Sequence, residues 1–121
     1  MAKILCVEDS EDNLLALHKR LGMAGFDVKV ATNGEEGVDW AKTLLPDLII
    51  MDLRLPGIDG WEATRRLKSQ PETKHIPVLV VTADTSDKSR EKAFAAGCDA
   101  FETKPVKFEK LAKTINSLLA R

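Results

Sequence analysis

Residues with reactive side chains follow four of the short apolar runs in this chain. Glu8 and Asp9 come after the first run, and Asp52 directly follows another. Thr82 and Lys104 end two later runs. A carboxylate is costly to desolvate where a buried strand leaves the core. The position of Asp52 therefore indicates a chemical role for this residue. Together these residues supply carboxylates, a hydroxyl and an ammonium group.

Three carboxylates in one crevice repel one another. At a separation of about 4 Å and an effective dielectric constant near 20, each pair costs about 4 kcal/mol. Protonation of one acid or a bound cation relieves that repulsion. An oxygen-only site without clustered histidine or cysteine selects a hard divalent ion, and Mg²⁺ also accepts phosphate oxygens as ligands. The set therefore suits phosphoryl transfer onto an aspartate, because that reaction depends on positioning and on neutralising charge.

The apolar pattern predicts the elements that would bring these side chains together. Strand-like and helix-like segments alternate along the whole chain. The predicted strands are residues 4–7, 26–31, 48–51, 78–81 and 98–103, and the predicted helices are residues 14–21, 34–45, 61–68, 87–96 and 107–120. Five such pairs favour an α/β fold, a doubly wound sheet of five parallel strands with five helices on its two faces. A barrel would need about 250 residues, and the ligand site of an open sheet lies at the carboxyl ends of its strands.

Composition limits the classes of function. The 121 residues are 44% hydrophobic and 31% charged, with a net charge of −1, as expected for one globular domain. The balanced charge argues against nucleic acid or an anionic membrane as a partner. No apolar stretch approaches the roughly 20 residues of a membrane span, and no signal peptide is expected. Cys6 and Cys98 have no metal-ligand spacing, and we expect a reducing cytoplasm.

The chain resembles the receiver domain of two-component response regulators over essentially its whole length. The resemblance rests on Glu8-Asp9, on Asp52 with the downstream pattern Asp-Leu-Arg-Leu-Pro-Gly-Ile-Asp-Gly, on Thr82-Ala83 and on Lys104-Pro105. Each motif alone is weak, but all four in order, each at its expected strand end, are a strong signal. The resemblance implies a flavodoxin-like sheet with strand order 2-1-3-4-5. We expect residues 1–121 to form one receiver domain, with no output domain after the fifth helix.

The resemblance also implies a phosphoacceptor and a metal site. Asp52 would accept a phosphoryl group from a phosphohistidine of a sensor histidine kinase or a histidine phosphotransfer protein. Asp9 and Asp52 would bind Mg²⁺ directly. The backbone carbonyl of Arg54 would be a third ligand, and Glu8 would act through water.

Four further residues are expected to act in switching. Lys104 would pair with Asp52 and then with the phosphoryl oxygens. Thr82 would hydrogen-bond the phosphoryl group, and Phe101 would rotate into the vacated space, although a plain core role for Phe101 stays open. Pro105 is a candidate for a cis peptide bond. The output would be a phosphorylation-dependent surface for a downstream protein target, in a regulatory domain that catalyses its own phosphorylation and dephosphorylation.

Two charged residues stand at the expected mouth of the site. Arg54 lies two residues after Asp52, and Asp84 lies two residues after Thr82. One hypothesis is that they pair across the mouth and change the lifetime of the acyl phosphate. The alternative is two independent solvated charges.

The sequence argues against three other functions. A phosphatase of the haloacid-dehalogenase type places a second acid two residues after its nucleophile, where this chain has Arg54. A flavin carrier needs a glycine- and hydroxyl-rich phosphate loop after the first strand, where Glu8 and Asp9 would repel phosphate. A degenerate receiver would bind partners without phosphorylation, but the complete set of acid, threonine and lysine argues against it.

Overall fold

The computed structural model describes residues 1–121 as alternating strands and helices. The strands are β1 Lys3–Val7, β2 Asp27–Ala31, β3 Leu48–Met51, β4 Val78–Thr82 and β5 Ala100–Thr103. The helices are α1 Glu11–Met23, α2 Gly34–Leu44, α3 Gly60–Lys68, α4 Asp87–Ala96 and α5 Phe108–Leu119. The five predicted strand–helix pairs are therefore confirmed.

The five strands form one parallel sheet in the order β2-β1-β3-β4-β5. In its register Val7 lies opposite both Ala31 of β2 and Met51 of β3, and Thr82 lies opposite Thr103 of β5. The last residues of β2, β1 and β3 are thus level with one another, as are those of β4 and β5. Met51 lies opposite Val80, so β4 extends two residues beyond the end of β3. This alignment confirms the predicted fold class and strand order, and it brings the residues that follow the strands to one edge.

Buried side chains form a separate apolar layer on each face of the sheet. One layer of 16 buried residues joins the sheet to α2, α3 and α4, and another of 12 joins it to α1 and α5. All four residues of β3 are buried, as expected for a central strand covered on both faces. None of the helices is both long and apolar enough to cross a membrane.

Polar side chains begin four of the five helices. The side chains of Ser10, Asn33, Asp59 and Ser86 each accept a hydrogen bond from a backbone N–H in the first turn of α1, α2, α3 and α4. These caps set where each helix starts after the loop that leaves the sheet. The loops at the carboxyl ends of the strands therefore have defined end points.

Two strands begin later than the sequence pattern predicted. β2 starts at Asp27 because the N–H of Phe26 still donates to Leu21 at the end of α1. β5 starts at Ala100 because the N–H of Cys98 closes the last turn of α4. In both cases a backbone donor already used by the preceding helix cannot join the sheet.

Candidate functional site

The sheet hydrogen bonds extend one residue beyond three strands and hold the main chain of the candidate site. Glu8 N–H donates to Ala31 at 3.0 Å, and Asp52 N–H donates to Val7 at 3.0 Å. Lys104 N–H donates to the carbonyl of Thr82 at 2.8 Å. These three backbone positions are therefore as fixed as the strands themselves.

Gly60, the first residue of α3, lies against the backbone of Asp52. Its N–H donates to the carbonyl of Leu53 at 2.9 Å. A Cβ atom at Gly60 would lie 2.1 Å from the carbonyl oxygen of Asp52. Only glycine permits this approach, so the start of α3 supports the backbone of the candidate phosphoacceptor.

The ammonium group of Lys104 joins two buried carboxylates. Lys104 Nζ donates to Asp52 Oδ2 at 2.9 Å and also to Glu8 Oε1. Asn13 Nδ2, in the first turns of α1, donates to the same Glu8 oxygen at 3.0 Å. The other oxygen, Glu8 Oε2, is buried and has no hydrogen-bond partner. The peptide bond between Lys104 and Pro105 is cis.

Three carboxylates at this edge could hold a metal ion. One oxygen each from Glu8, Asp9 and Asp52 lies within 4.8 Å of the others. Glu8 and Asp52 are 3% and 7% exposed, whereas Asp9 faces solvent. One ammonium group cannot neutralise three carboxylates, and a buried oxygen remains unpaired. The oxygen-only donor set and the uncompensated negative charge both fit a hard divalent cation such as Mg²⁺.

Burial and hydrogen bonding set the charge states of the three central groups. Burial, followed by the contact with Asp52, raises the pKa of the Glu8 carboxyl. Burial also acts to raise the pKa of Asp52, but the neighbouring Glu8 carboxyl and the hydrogen bond from Lys104 outweigh it and lower that pKa. Desolvation of the Lys104 ammonium is likewise outweighed by its bonds to both carboxylates, so its pKa is raised. Asp52 therefore keeps its negative charge more readily, and Glu8 is the acid that takes up a proton more readily.

The structure places Arg54 and Asp84 in contact at the mouth of the site. Arg54 Nη2 lies 2.7 Å from Asp84 Oδ2. Asp84 also accepts hydrogen bonds from Ser89 Oγ at 2.5 Å and from Ser86 Oγ at 2.9 Å. These bonds, with Ser89 and Ser86 first and Arg54 after them, hold the pKa of Asp84 well below its usual range. The loops after β3 and β4 are thereby connected above Asp52.

Trp61 connects the same mouth to α4. Its ring lies 5.3 Å from the Arg54 guanidinium carbon, and its Nε1 donates to the carbonyl of Ser89 at 3.2 Å. Lys92 Nζ lies 4.2 Å from the centre of the ring. Arg54 is therefore connected to α4 through its contact with Trp61.

Thr82 and Phe101 form no hydrogen bond with the three carboxylates. Thr82 is fully buried at the end of β4, and its hydroxyl accepts from the N–H of Asp84 at 3.3 Å. Phe101 is half-buried on β5, packs against the α2–α4 layer and lies 5.5 Å from the guanidinium carbon of Arg90. Neither side chain hydrogen-bonds Asp52 in this structure, so their roles in switching stay predictions.

Two contributors to the site, Asn13 and Ser89, were missed by the sequence analysis. Asn13 could have been suspected, since it lies in the first turns of the helix that follows Glu8 and Asp9. Ser89 and Trp61 lie 28 residues apart, and nothing in their sequence spacing indicates that they touch.

Comparison with known proteins gives the family of this chain. The sequence model of the response regulator receiver domain matches residues 4–116. Protein PilH of Pseudomonas aeruginosa is 42% identical over 122 residues, covering 99% of this chain and 99% of that protein.

Solved structures agree in fold over nearly the full length. The chemotaxis protein CheY4 of Vibrio cholerae superposes with a TM-score of 0.92 at 31% identity, covering 98% of both chains. The receiver domain of the sensor histidine kinase PA1611 of P. aeruginosa has a TM-score of 0.93 at 30% identity, covering 99% of this chain and 98% of that one. That structure has a magnesium ion coordinated in its active-site cleft. With the family match, the shared fold and the cluster of acids and lysine, this chain belongs to the response regulator receiver domain family.

Proposed function

We propose that Asp52 accepts a phosphoryl group from a phosphohistidine of a histidine kinase or histidine phosphotransfer protein, in a reaction that requires Mg²⁺. Receiver domains are regulatory, and accepting a phosphoryl group on an aspartate is their general function. The observation that carries the assignment to Asp52 is its buried, ionised carboxylate, held by Lys104 beside two further acids. No other carboxylate of the chain combines these properties.

The proposed transfer uses groups that the fold already positions. A carboxylate oxygen of Asp52 attacks phosphorus, and the bond between phosphorus and the histidine nitrogen breaks as the imidazole leaves. Lys104 then pairs with an oxygen of the transferred group. Asp9, Asp52 and the Arg54 carbonyl would hold Mg²⁺, with Glu8 acting through water, and the bound ion would neutralise charge on the phosphoryl oxygens. Attack of water on the acyl phosphate would reverse the signal.

The proposed switch follows from the added charge. Phosphorylation brings roughly 1.5 to 2 negative charges and strong acceptor oxygens. Thr82 would turn its hydroxyl from the Asp84 amide toward these oxygens, and Phe101 would move into the space that opens. The resulting change at β5 and its flanking helices would select a downstream protein target.

The unpaired thiols of Cys6 and Cys98 support the reducing cytoplasm as the compartment.

A mass measurement tests the assignment of Asp52. The protein is incubated with Mg²⁺ and a small phosphodonor, and the intact mass is recorded for the wild type and for Asp52→Asn. We expect one phosphoryl adduct on the wild type and none on the variant, because the amide is not a nucleophile. Omitting Mg²⁺ should also suppress the adduct. A folded wild type without an adduct would favour the degenerate receiver instead.

A second experiment tests the role proposed for Arg54 and Asp84 in the lifetime of the acyl phosphate. Arg54→Ala opens the mouth, and we expect phosphate release to become about two- to fivefold faster, the size of effect that an exposed ion pair supports. Arg65→Ala is the matched control, since Arg65 pairs with Glu62 on α3 away from the mouth. An unchanged release rate in Arg54→Ala would leave two independent surface charges as the better account.

A further inference from the structure

The loop from β3 to α3 contains a tight turn that lacks the usual backbone hydrogen bond across it. Gly57 follows Pro56 and has a φ of 75°, an arrangement typical of a type II turn with glycine at its third position. In such a turn the N–H of the fourth residue, here Ile58, commonly donates to the carbonyl of the first. The backbone hydrogen bonds of this protein include none from Ile58.

A side chain from another helix takes the amide of Ile58 instead. Both carboxylate oxygens of Glu35, in the first turn of α2, accept from Ile58 N–H at 3.3 Å. Gly57 makes room for this carboxylate, because a Cβ atom there would lie 2.5 Å from each Glu35 oxygen. The two parts of the chain are 23 residues apart, so the bond is a tertiary contact.

The backbone of α2 touches the same loop residue. A Cβ atom at Gly34 would lie 2.6 Å from the carbonyl oxygen of Ile58 and 2.5 Å from its Cγ1. Ile58 is therefore hydrogen-bonded at its amide by Glu35, and its carbonyl and side chain pack closely against Gly34. The opposite end of the loop is held by Asp52 in the sheet.

We propose that Glu35 is a positioning residue for the metal site, acting through the β3–α3 loop. This inference rests on the proposed function, because the loop carries the Arg54 carbonyl assigned there as a metal ligand. While Glu35 bonds the amide of Ile58, the loop keeps one conformation and the Arg54 carbonyl keeps one position. Without this bond, the loop must be ordered when the ion binds, and the affinity for Mg²⁺ falls.

A simple effect of charge predicts a different pattern. Any acid near the site attracts Mg²⁺, so loss of the Glu35 charge alone would weaken binding. Glu35→Gln separates the two causes, because it removes the charge and keeps an oxygen that accepts from Ile58. Glu36→Ala is the matched control: it removes the same charge from the next residue, whose carboxylate accepts from Thr32 N–H at the start of α2.

The test measures Mg²⁺ affinity by calorimetry and amide hydrogen exchange at Ile58 without metal. We expect Glu35→Ala to weaken Mg²⁺ binding about three- to tenfold, below the usual range for residues that support metal ligands because Glu35 is exposed. Exchange at Ile58 should become faster in the same variant. Glu35→Gln should restore both values to near those of the wild type, and Glu36→Ala should leave both unchanged.

The outcomes separate this inference from the proposed function. Wild-type Mg²⁺ affinity in Glu35→Ala would overturn the positioning role while Asp52 remains the phosphoacceptor. Equal weakening in Glu35→Ala, Glu35→Gln and Glu36→Ala would also overturn it and indicate charge alone. Absence of Mg²⁺ binding in the wild type would overturn both the inference and the proposed metal site, whereas phosphorylation is tested independently by the mass measurement.

Discussion

Two lysines at opposite ends of the sheet show how a structural ion pair differs from a reactive one. At the amino ends of the strands, Lys68 Nζ donates to Asp99 Oδ2 at 2.9 Å and to the carbonyls of Ile76 and Lys74 at 2.7 and 3.3 Å. At the carboxyl ends, Lys104 faces the carboxylates of Glu8 and Asp52.

The surroundings of the two lysines differ in the balance of charge. Asp99 Oδ2 also accepts from the N–H of Val78 at 2.8 Å, and its other oxygen lies 3.5 Å from Arg121. The donors of Lys68 and the oxygens of Asp99 therefore all have partners. Around Lys104 the carboxylates outnumber the ammonium group, and Glu8 Oε2 has no partner. A satisfied pair holds loops together, whereas an excess of unpaired acid creates affinity for a cation.

The largest effect we expect is on the structural pair. Lys68→Met should lower the free energy of unfolding by about 2 kcal/mol, because it removes one of the three partners of the half-buried Asp99 carboxylate. Chemical denaturation measures this loss. Phosphorylation of the folded variant should be unchanged, since Lys68 lies at the other end of the sheet.

Lys104→Met sharpens the same comparison. We expect it to lose stability without metal, and to recover more of that loss than Lys68→Met when Mg²⁺ is added. The reason is that a divalent ion can neutralise the carboxylates that Lys104 had neutralised. Equal responses of the two variants to Mg²⁺ would contradict the distinction between a satisfied and an over-acidic cluster.

A smaller change in the free energy of unfolding is expected when the charge of Glu8 is removed. Glu8→Gln should raise the free energy of unfolding without metal by about 1 kcal/mol at neutral pH, because it removes one negative charge from a cluster in which three carboxylates share a single ammonium group. The pKa of Glu8 is raised by folding. Its stability penalty is therefore present at pH values above that raised pKa, and it disappears as the pH falls to the ordinary range of a glutamate.

Denaturation of both proteins at several pH values checks this prediction. The advantage of Glu8→Gln should shrink toward zero near pH 4. The same variant should bind Mg²⁺ more weakly than the wild type. A constant advantage at all pH values would show that the charge of Glu8 is not its cause.

The smallest difference we expect is in the reactivity of the two thiols, Cys6 and Cys98, which lie near opposite ends of the sheet. Burial, followed by the charge of Glu8, raises the pKa of Cys6 to about 12. Burial and the charge of Asp99 raise the pKa of Cys98 to about 11, against opposing effects of Arg90 and Lys68. At pH 8 both thiols should react slowly with a disulfide reagent, and Cys98 should react faster than Cys6.

Titration of the thiols with that reagent, in the folded protein and in denaturant, measures the difference. Both cysteines should react at once when the protein is unfolded. Rapid reaction of Cys6 in the folded protein would show that β1 opens locally.

Much of this architecture could be predicted because it is encoded locally. Short apolar runs, capping residues and the alternation of strand and helix are read within windows of a few residues. Parallel strands then place their carboxyl ends together without further information, which is why Glu8, Asp9, Asp52 and Lys104 were expected to converge. The bounds were less accurate. β2 and β5 start later than predicted because the preceding helices still use the amides of Phe26 and Cys98, and α1 runs over Glu11–Met23 where the pattern predicted residues 14–21.

The contacts between distant side chains could not be predicted in the same way. The bond from Lys104 to Glu8 and the bond from Asn13 depend on side-chain rotamers above the sheet. The pairing of Lys68 with Asp99 joins two residues 31 positions apart whose types occur commonly on surfaces. Sequence spacing indicates which backbone positions are neighbours, but it does not indicate which polar atoms remain without a partner.

The contact between Gly60 and Asp52 limits how this site can diversify. Any other residue at position 60 would put its first side-chain carbon into the carbonyl of Asp52. Variant libraries that aim to retune signal duration or partner choice should therefore find functional diversity at the rim, at Arg54 and Asp84, and none at position 60. A close backbone contact thus decides which positions around Asp52 can be varied without displacing its carbonyl.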